Sequence, residues 1–470
     1  MNRKQRRADA KYGAPQTTAL PSPEQLLYGA ALQHYQARRF AQAQPLLLQL
    51  IAANPRDHDA LNMLGAIAFQ TLQLDTAEEL FRRAMAVRPN EATAHSNLGN
   101  LLLHQKKLEE AVVSLRRATR LTSTIPQPLN TLGTTLRTLN RLDEAIAAYR
   151  KAIPLDPNCP ETHYFLAESL LMKGDFAEGW SEYEWRWGTG QMIADRLDVA
   201  QPQWRGEAAP GKTLLIHAEQ GYGDSLQFCR YAPMAAEAGL RVILAAPAPL
   251  IRLLRSLPGI DSFVASGETV TDFDLHCPML SLPLAFKTTL QTIPGTTPYL
   301  HADREQQDSW QSRLAALPPG KRIGLAWAGN PIKRNTPLAI DPRRSITLDQ
   351  LAPLFDLPGL QFFSLQKDIA EPPAQFPLHN FMPEIQDFAD TAALIANLDL
   401  VISVDTSTAH LASALNKPVW MLDRADPCWR WLAGRLDSPW YPSMRIFRQK
   451  ELGNWSTVIN EVVAALQQQK

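Results

Sequence analysis

The chain has 470 residues, too many for one hydrophobic core, so several domains are expected. Its 47 Lys and Arg balance 47 Asp and Glu, which argues against a dedicated nucleic-acid-binding protein. No run of about 18 apolar residues and no apolar stretch behind the basic start predicts a membrane span or a leader; Cys159, Cys229, Cys277 and Cys428 lack metal-ligand spacing and fit free thiols, so a cytoplasmic protein is expected.

Residues 1–22 carry Arg3, Lys4, Arg6, Arg7 and Lys11 ahead of any apolar periodicity and are expected as a disordered basic tail. Beyond them Pro55, Pro89 and Pro157 share a 34-residue grid, with Ser123 at the vacant point. The same step joins Gly65, Gly99 and Gly133, then Ala77, Ala111 and Ala145, then Ala84, Ala118 and Ala152. Small residues at fixed offsets let helices approach closely, and the prolines end each second helix. This period and pattern is the signature of tetratricopeptide repeats, antiparallel helix pairs stacked into a superhelix. The array is expected over 23–187 as about five pairs, with clear units near 58–91, 92–125 and 126–159 and a degenerate unit at each end. Such arrays present a groove to a protein or peptide; a scaffold that only stabilises the protein is the alternative.

The last unit departs from the pattern, because Gly179 replaces the expected Ala and Trp180, Tyr183, Trp185 and Trp187 follow. Packing against the next domain is the expected role of these rings, with a carbohydrate-stacking platform as the alternative. Residues 188–210 lack periodicity and read as a linker.

From Lys212 strands and helices alternate. Thr213–Ala218, Arg241–Ala246, Ser262–Ala265 and Phe273–His276 read as strands of a first half, 211–300, with a helix over Asp224–Ala238. An interdomain linker is expected over 301–320. The second half, 321–470, has strands at Arg322–Trp327 and Leu360–Leu365, the unit Leu398–Asp423, and a last helix over Trp455–Gln468. Two consecutive βαβ series predict two Rossmann-like domains facing one another across a cleft, giving a fold class of α + α/β.

The first half opens with His217 to Asp224 directly after its first strand. Gly221 and Gly223 suit a loop that takes positive φ and approaches a phosphate or sugar. The run is neither a dinucleotide fingerprint nor a P-loop. Asp224 stands at a helix start, where its simplest role is an N-cap. Asp272 and Asp274 form an acidic pair of the kind that can hold a divalent ion, but they lead into a strand away from the nucleotide site, and no metal is expected.

In the second half, Trp327-Ala-Gly-Asn330 follows a strand. Arg343 and Arg344 precede a helix and suit a bidentate phosphate clamp, with solvated arginines as the alternative. Ser364 to Lys367 places Gln366 and Lys367 near the same edge. In Leu398–Asp423 an apolar strand ends at Asp405, and Thr406, Ser407 and Thr408 supply cap-type hydroxyls to a helix carrying His410 one turn later. Free N–H groups at that helix start, beyond a strand's carboxyl end, suit a diphosphate; an ordinary capped turn is the alternative.

G-Y-G-D-S-L-Q-F-x-R-Y (Gly221–Tyr231), W-A-G-N-P (Trp327–Pro331), R-R-S-I (Arg343–Ile346), S-L-Q-K (Ser364–Lys367) and D-T-S-T-A-H-L-A (Asp405–Ala412) occur in this order. From about Trp180 onward the chain resembles the heptosyltransferase-type glycosyltransferases, glycosyltransferase family nine, in the variant fused to tetratricopeptide repeats. The resemblance implies a GT-B fold of two Rossmann-like domains. It implies transfer of a sugar with inversion from a nucleotide-diphosphate donor to an acceptor hydroxyl, with no cofactor and no essential metal. It implies Asp224 as general base. Asp405, Thr406, Ser407, Thr408 and His410, with Asn330, Arg344 and Lys367, are the expected donor site, and Gly221, Gly223 and Gln227 the acceptor or sugar loop. Ser407 stands where the family usually has Gly, and the family's phosphate-neutralising Lys has no direct counterpart, Arg344 or Lys367 being the substitutes. The expected partners are a nucleotide sugar and a protein or other large acceptor in the repeat groove. A binding adaptor with an inactive transferase domain and a lipopolysaccharide heptosyltransferase-like enzyme are the alternatives.

Overall fold

The computed structural model describes residues 22–190, 192, 196–329, 343–367 and 373–468. Asn330 and the basic residues of the expected tail lie outside them. The chain divides into two compact units, Met1–Leu132 and Gly133–Lys470.

In the first unit helices pair in succession: α1 (Pro23–Gln36) with α2 (Phe40–Ala53), α3 (His58–Gln70) with α4 (Leu74–Val87), and α5 (Ala92–His104) with α6 (Leu108–Leu121). The 34-residue glycines are where paired helices touch. A Cβ on Gly65 would lie 2.7 Å from Phe81 Cε1, and Gly99 abuts Leu115 in the same way. Ala77, Ala84, Ala111 and Ala118 are fully buried. The period has a second expression at Arg38, Leu72 and Lys106, each left-handed with φ of 54°, 62° and 62°. These residues follow the first helix of each pair in a Schellman turn: Leu72 N–H donates to Phe69 O at 3.0 Å and Gln73 N–H to Ala68 O at 2.8 Å. None is Gly, so each turn accepts roughly 1–2 kcal/mol of left-handed strain in exchange for satisfied helix-end carbonyls.

The second unit opens on the same grammar. Helix α7 (Gln127–Thr138), which enters this unit at Gly133, is followed by α8 (Leu142–Ala152), α9 (Pro160–Lys173) and α10 (Phe176–Tyr183). Asn140 (φ 55°) and Gly174 (φ 93°) continue the left-handed series at the same step. The aromatic run then turns inward, as its packing role predicts. Trp180, 1% exposed, lies 5.3 Å from the Trp429 ring and 6.3 Å from Phe228, and Trp185 stacks on His163 at 4.1 Å. The stretch expected as a linker ends pinned, since Trp204 is buried and its backbone N–H donates to His276 O at 2.8 Å.

Two parallel sheets follow. The first contains β1 (Thr213–His217), β2 (Arg241–Ala246), β3 (Ser262–Ala265) and β4 (Leu275–Pro278) in the order β3-β2-β1-β4. The single helix expected over Asp224–Ala238 is two, α11 (Tyr222–Phe228) and α12 (Tyr231–Glu237). Pro233 explains the break, because it lacks the N–H a continuous helix would need and is tolerated in the first turn of α12. Asp274 precedes β4 rather than lying inside a strand, and its carboxylate is spent on Lys212 Nζ (2.9 Å) and Thr213 N–H (2.8 Å). Helices α13 (Ala248–Leu254) and α14 (Leu282–Ala285) complete this half.

Residues 301–320, expected as a linker, carry α15 (Arg304–Ala315), capped by the Asp303 carboxylate on Gln306 N–H at 3.0 Å. The second sheet contains β5 (Lys321–Ala326), β6 (Leu360–Ser364), β7 (Leu378–His379), β8 (Leu400–Val404), β9 (Val419–Asp423) and β10 (Met444–Arg448), with α16 (Leu348–Phe355), α17 (Phe388–Ala396), α18 (Ser407–Ala414) and α19 (Ser456–Gln467) around it. Its order is β10-β9-β8-β5-β6-β7, parallel throughout. The fold is thus tetratricopeptide repeats followed by two Rossmann-like layers. Strand order reverses between β1 and β4 in one sheet and between β5 and β8 in the other, and open parallel sheets bind ligands at the carboxyl ends of such reversals. Among the described residues no helix is long and apolar enough to cross a membrane.

Candidate functional site

The loop leaving β1 carries the Gly-Asp motif. Its left-handed residue is Gln220 (φ 63°), whereas Gly221 has φ −97° and Gly223 is not in the positive region, contrary to the conformational role expected of the two glycines. Gln220 is held there by its side chain, whose Nε2 donates to Tyr183 Oη at 3.1 Å. Gly223 is needed for space: a Cβ would lie 2.8 Å from His410 Cδ2, so α11 and α18 could not approach as they do with any larger residue. Asp224 sits at the third helical position rather than at the N-cap, and its Oδ2 accepts from Gly221 N–H at 2.9 Å. Gln227 does not line the loop. It lies inside α11 with no exposure, and among the described residues neither side-chain polar atom has a hydrogen-bond partner.

A buried ion pair fixes the base of this loop. Arg186, in the 3₁₀ turn after α10, donates from Nε and Nη2 to both Glu219 oxygens at 2.8 Å, and both side chains are fully buried. Burial pushes the Glu219 carboxyl above its ordinary range, although Arg186 opposes the shift. The last repeat therefore holds the residue two places before Gly221.

On the facing half, the loop leaving β8 places Asp405 and Thr406 half-buried ahead of α18. The hydroxyl cap expected there is not made: Thr406 is the N-cap residue, but its Oγ1 pairs with Ser403 Oγ at 3.0 Å. Among the described residues the start of α18, at Ser407 and Thr408, thus has no side-chain cap and keeps the partial positive charge of a helix N-terminus. His410 is 4% exposed, with Nδ1 2.9 Å from Tyr441 Oη and its ring 5.0 Å from Trp431. Burial pulls its pKa down to about 4, so it is neutral at pH 7 and packs the seam between the halves.

At the neighbouring edge of β5, Arg344 lies against Gly329, where a Cβ would come within 2.5 Å of its Nε. Its neighbour Arg343 pairs with Asp426. Lys367 is exposed and donates from Nζ to Ile385 O at 2.7 Å. Gln366 Oε1 accepts from Ala328 N–H at 2.9 Å and so shapes the β5 loop.

Sequence reasoning missed Arg430. It lies in the turn Trp429–Trp431 beyond β9, and its Nη2 pairs with Asp224 Oδ1 across the cleft. Its guanidinium stacks 4.1 Å from the Trp429 ring. Burial is the largest influence and opposes its charge, but Asp224, Cys428 and Tyr183 together outweigh it and hold the pKa above the ordinary arginine value. The repeats grip this loop too: Asn140 Nδ2 donates to Ala425 O at 2.6 Å, and Tyr183 lies 5.7 Å from the Trp429 ring. The bare D-x-x-D-P-x-W-R string carried no spacing rule that could have flagged it.

Comparison with known proteins adds further findings. Residues 28–84 and 69–124 match a tetratricopeptide-repeat model, and 133–174 match a second such model. Residues 372–449, which hold Asp405 to His410 and Arg430, match the model of glycosyltransferase family 9 (heptosyltransferase). The chain is 28% identical over 348 residues to Protein FlbA of Caulobacter vibrioides, an alignment covering 66% of this chain and 56% of that relative, so the chain spans little more than half of its length. Among solved structures, MamA is 19% identical and covers 35% of this chain and 97% of its own (TM-score 0.31). PilF of Pseudomonas aeruginosa is 23% identical and covers 36% and 77% (TM-score 0.34). The chain therefore joins tetratricopeptide repeats to a domain of the glycosyltransferase family 9 type.

Proposed function

We propose that this chain transfers a sugar, with inversion and without a metal, from a nucleotide-diphosphate donor to an acceptor hydroxyl, and that its repeats recruit a protein or other large acceptor in the cytoplasm. The observation that supports this most is the meeting of Asp224, from the reversal of one sheet, with Arg430, from the loop after β9, one strand beyond the reversal of the other.

Asp224 is the general base. With Oδ2 held by Gly221 N–H, Oδ1 takes the acceptor proton as that oxygen attacks the anomeric carbon. The bond from that carbon to the diphosphate breaks, and the electron pair leaves with the nucleotide. The N-terminus of α18 and Arg344 meet the charge that develops on the leaving group. Across the cleft, Tyr222 packs on Phe388 at 5.2 Å and Arg252 Nε donates to Asp387 Oδ2 at 2.8 Å, contacts that hold the halves together and limit water.

A thermal-shift panel of UDP, GDP, ADP and CDP with their sugar nucleotides tests the reading. One nucleoside diphosphate at a hundredfold excess over its Kd is expected to add about 2.7 kcal/mol to stability. Asp224→Asn is expected to show at least that shift while losing sugar transfer. No shift with any of the four, or wild-type turnover in Asp224→Asn, sinks it.

A further inference from the structure

Arg430 has donors to spare. A guanidinium carries five N–H groups; among the described residues Nη2 pairs with Asp224, Nη1 reaches only the Cys428 sulfur at 3.2 Å, and Nε is buried without a hydrogen-bond partner. A buried, under-satisfied guanidinium is poised to take a further anionic acceptor. The pair is not sealed, since the side chains of Arg430 and Asp224 keep 10% and 16% of their exposure. Its surroundings point to phosphate. β9 pairs with β8 in parallel register, so the loop holding Arg430 lies beside the loop holding Asp405 and the uncapped start of α18. The Trp429 ring under the guanidinium fixes its plane.

We propose that Arg430, beside Arg344, is a cationic ligand of the donor's leaving diphosphate, and that the diphosphate and Asp224 compete for it, so that donor binding uncovers the base. This rests on the glycosyltransferase reading above. Without donor, Arg430 covers the oxygen that must accept the acceptor's proton. When the diphosphate takes the guanidinium, Oδ1 is released. The acceptor oxygen then bonds to the anomeric carbon, its proton passes to Asp224, and the carbon–oxygen bond to the diphosphate breaks toward Arg430.

The test is calorimetric titration of the full chain with UDP, GDP, ADP and CDP, and with the parent nucleosides as controls. For the diphosphate that binds wild type, Arg430→Gln is expected to weaken binding at least tenfold. Asp224→Asn, which removes the competitor, is expected to tighten it at least threefold, with nucleoside affinity unchanged in both. The double variant Asp224→Asn/Arg430→Gln leaves no charge unpaired, so it guards against a folding defect in the single variant and is expected to bind as weakly as Arg430→Gln. Undiminished affinity in both Arg430→Gln and the double variant, or unchanged or weaker affinity in Asp224→Asn, overturns the exchange while leaving the transferase reading intact. Binding of none of the four diphosphates by wild type overturns that reading and the exchange with it.

Discussion

Replacing Arg186 by Met removes one partner of a pair in which neither side chain has any exposure. Arg186 bonds both Glu219 oxygens, Ser281 Oγ at 2.8 Å, Glu184 Oε1 at 2.7 Å and Tyr183 O at 3.2 Å, so its loss strands a carboxylate in a dry site. Breaking such a pair from one side costs about 3–5 kcal/mol, whereas replacing both partners by apolar groups of similar size is often neutral. Glu184 keeps Ser281 and Gln203, so Glu219 bears the loss. Its carboxyl is already raised by burial and goes further up without Arg186. A group whose folded pKa lies above its unfolded value contributes stability below the unfolded value and loses it as pH rises. The deficit of Arg186→Met therefore grows from pH 5 to pH 8, and Arg186→Met/Glu219→Leu recovers most of it. All 11 tryptophans lie between Trp180 and Trp455, so urea unfolding followed by tryptophan fluorescence reports on the second unit alone. A single variant within about 1 kcal/mol of wild type, or a double variant no better than the single, refutes the argument.

Gly223→Ala places a methyl group against the His410 ring and is expected to cost about 1–3 kcal/mol in the same fluorescence assay and to weaken nucleotide binding; unchanged stability would mean that α11 and α18 are free to separate. His410, lowered to about 4 from an ordinary 6.5, contributes stability that is present above pH 6.5 and lost as pH falls toward 4, in total about 3 kcal/mol. Melting curves between pH 7 and 4 check this, and His410→Gln should flatten that part of the profile; an equally steep decline in the variant assigns it to other groups, His217 foremost, which burial lowers to about 3.

Local order in the chain announces what depends on local order. The 34-residue step is a repeated packing requirement, so Gly65, Gly99 and Gly133 mark helix contacts through their spacing alone. Short apolar runs closed by polar turns likewise give most strands within a residue or two, and the glycine and hydroxyl turns behind them mark the sheet edges where ligands gather. The left-handed turns at Arg38, Leu72, Lys106 and Asn140 escaped notice because ordinary side chains occupy them; only the closed hydrogen-bond pattern of the turn makes that strain tolerable.

Tertiary structure alone decided how the site is wired. Gly223 owes its identity to a histidine from another domain, Gln220 holds its backbone through Tyr183, and Asp224 meets an arginine 206 residues away. Such pairings follow from which strands share an edge and which loops a repeat helix grips, and neither is written in the spacing of neighbouring residues. Periodicity is a short-range property and survives reading one residue at a time. Charge pairing across a cleft is a property of the folded surface, and it exists only once the two sheets face each other.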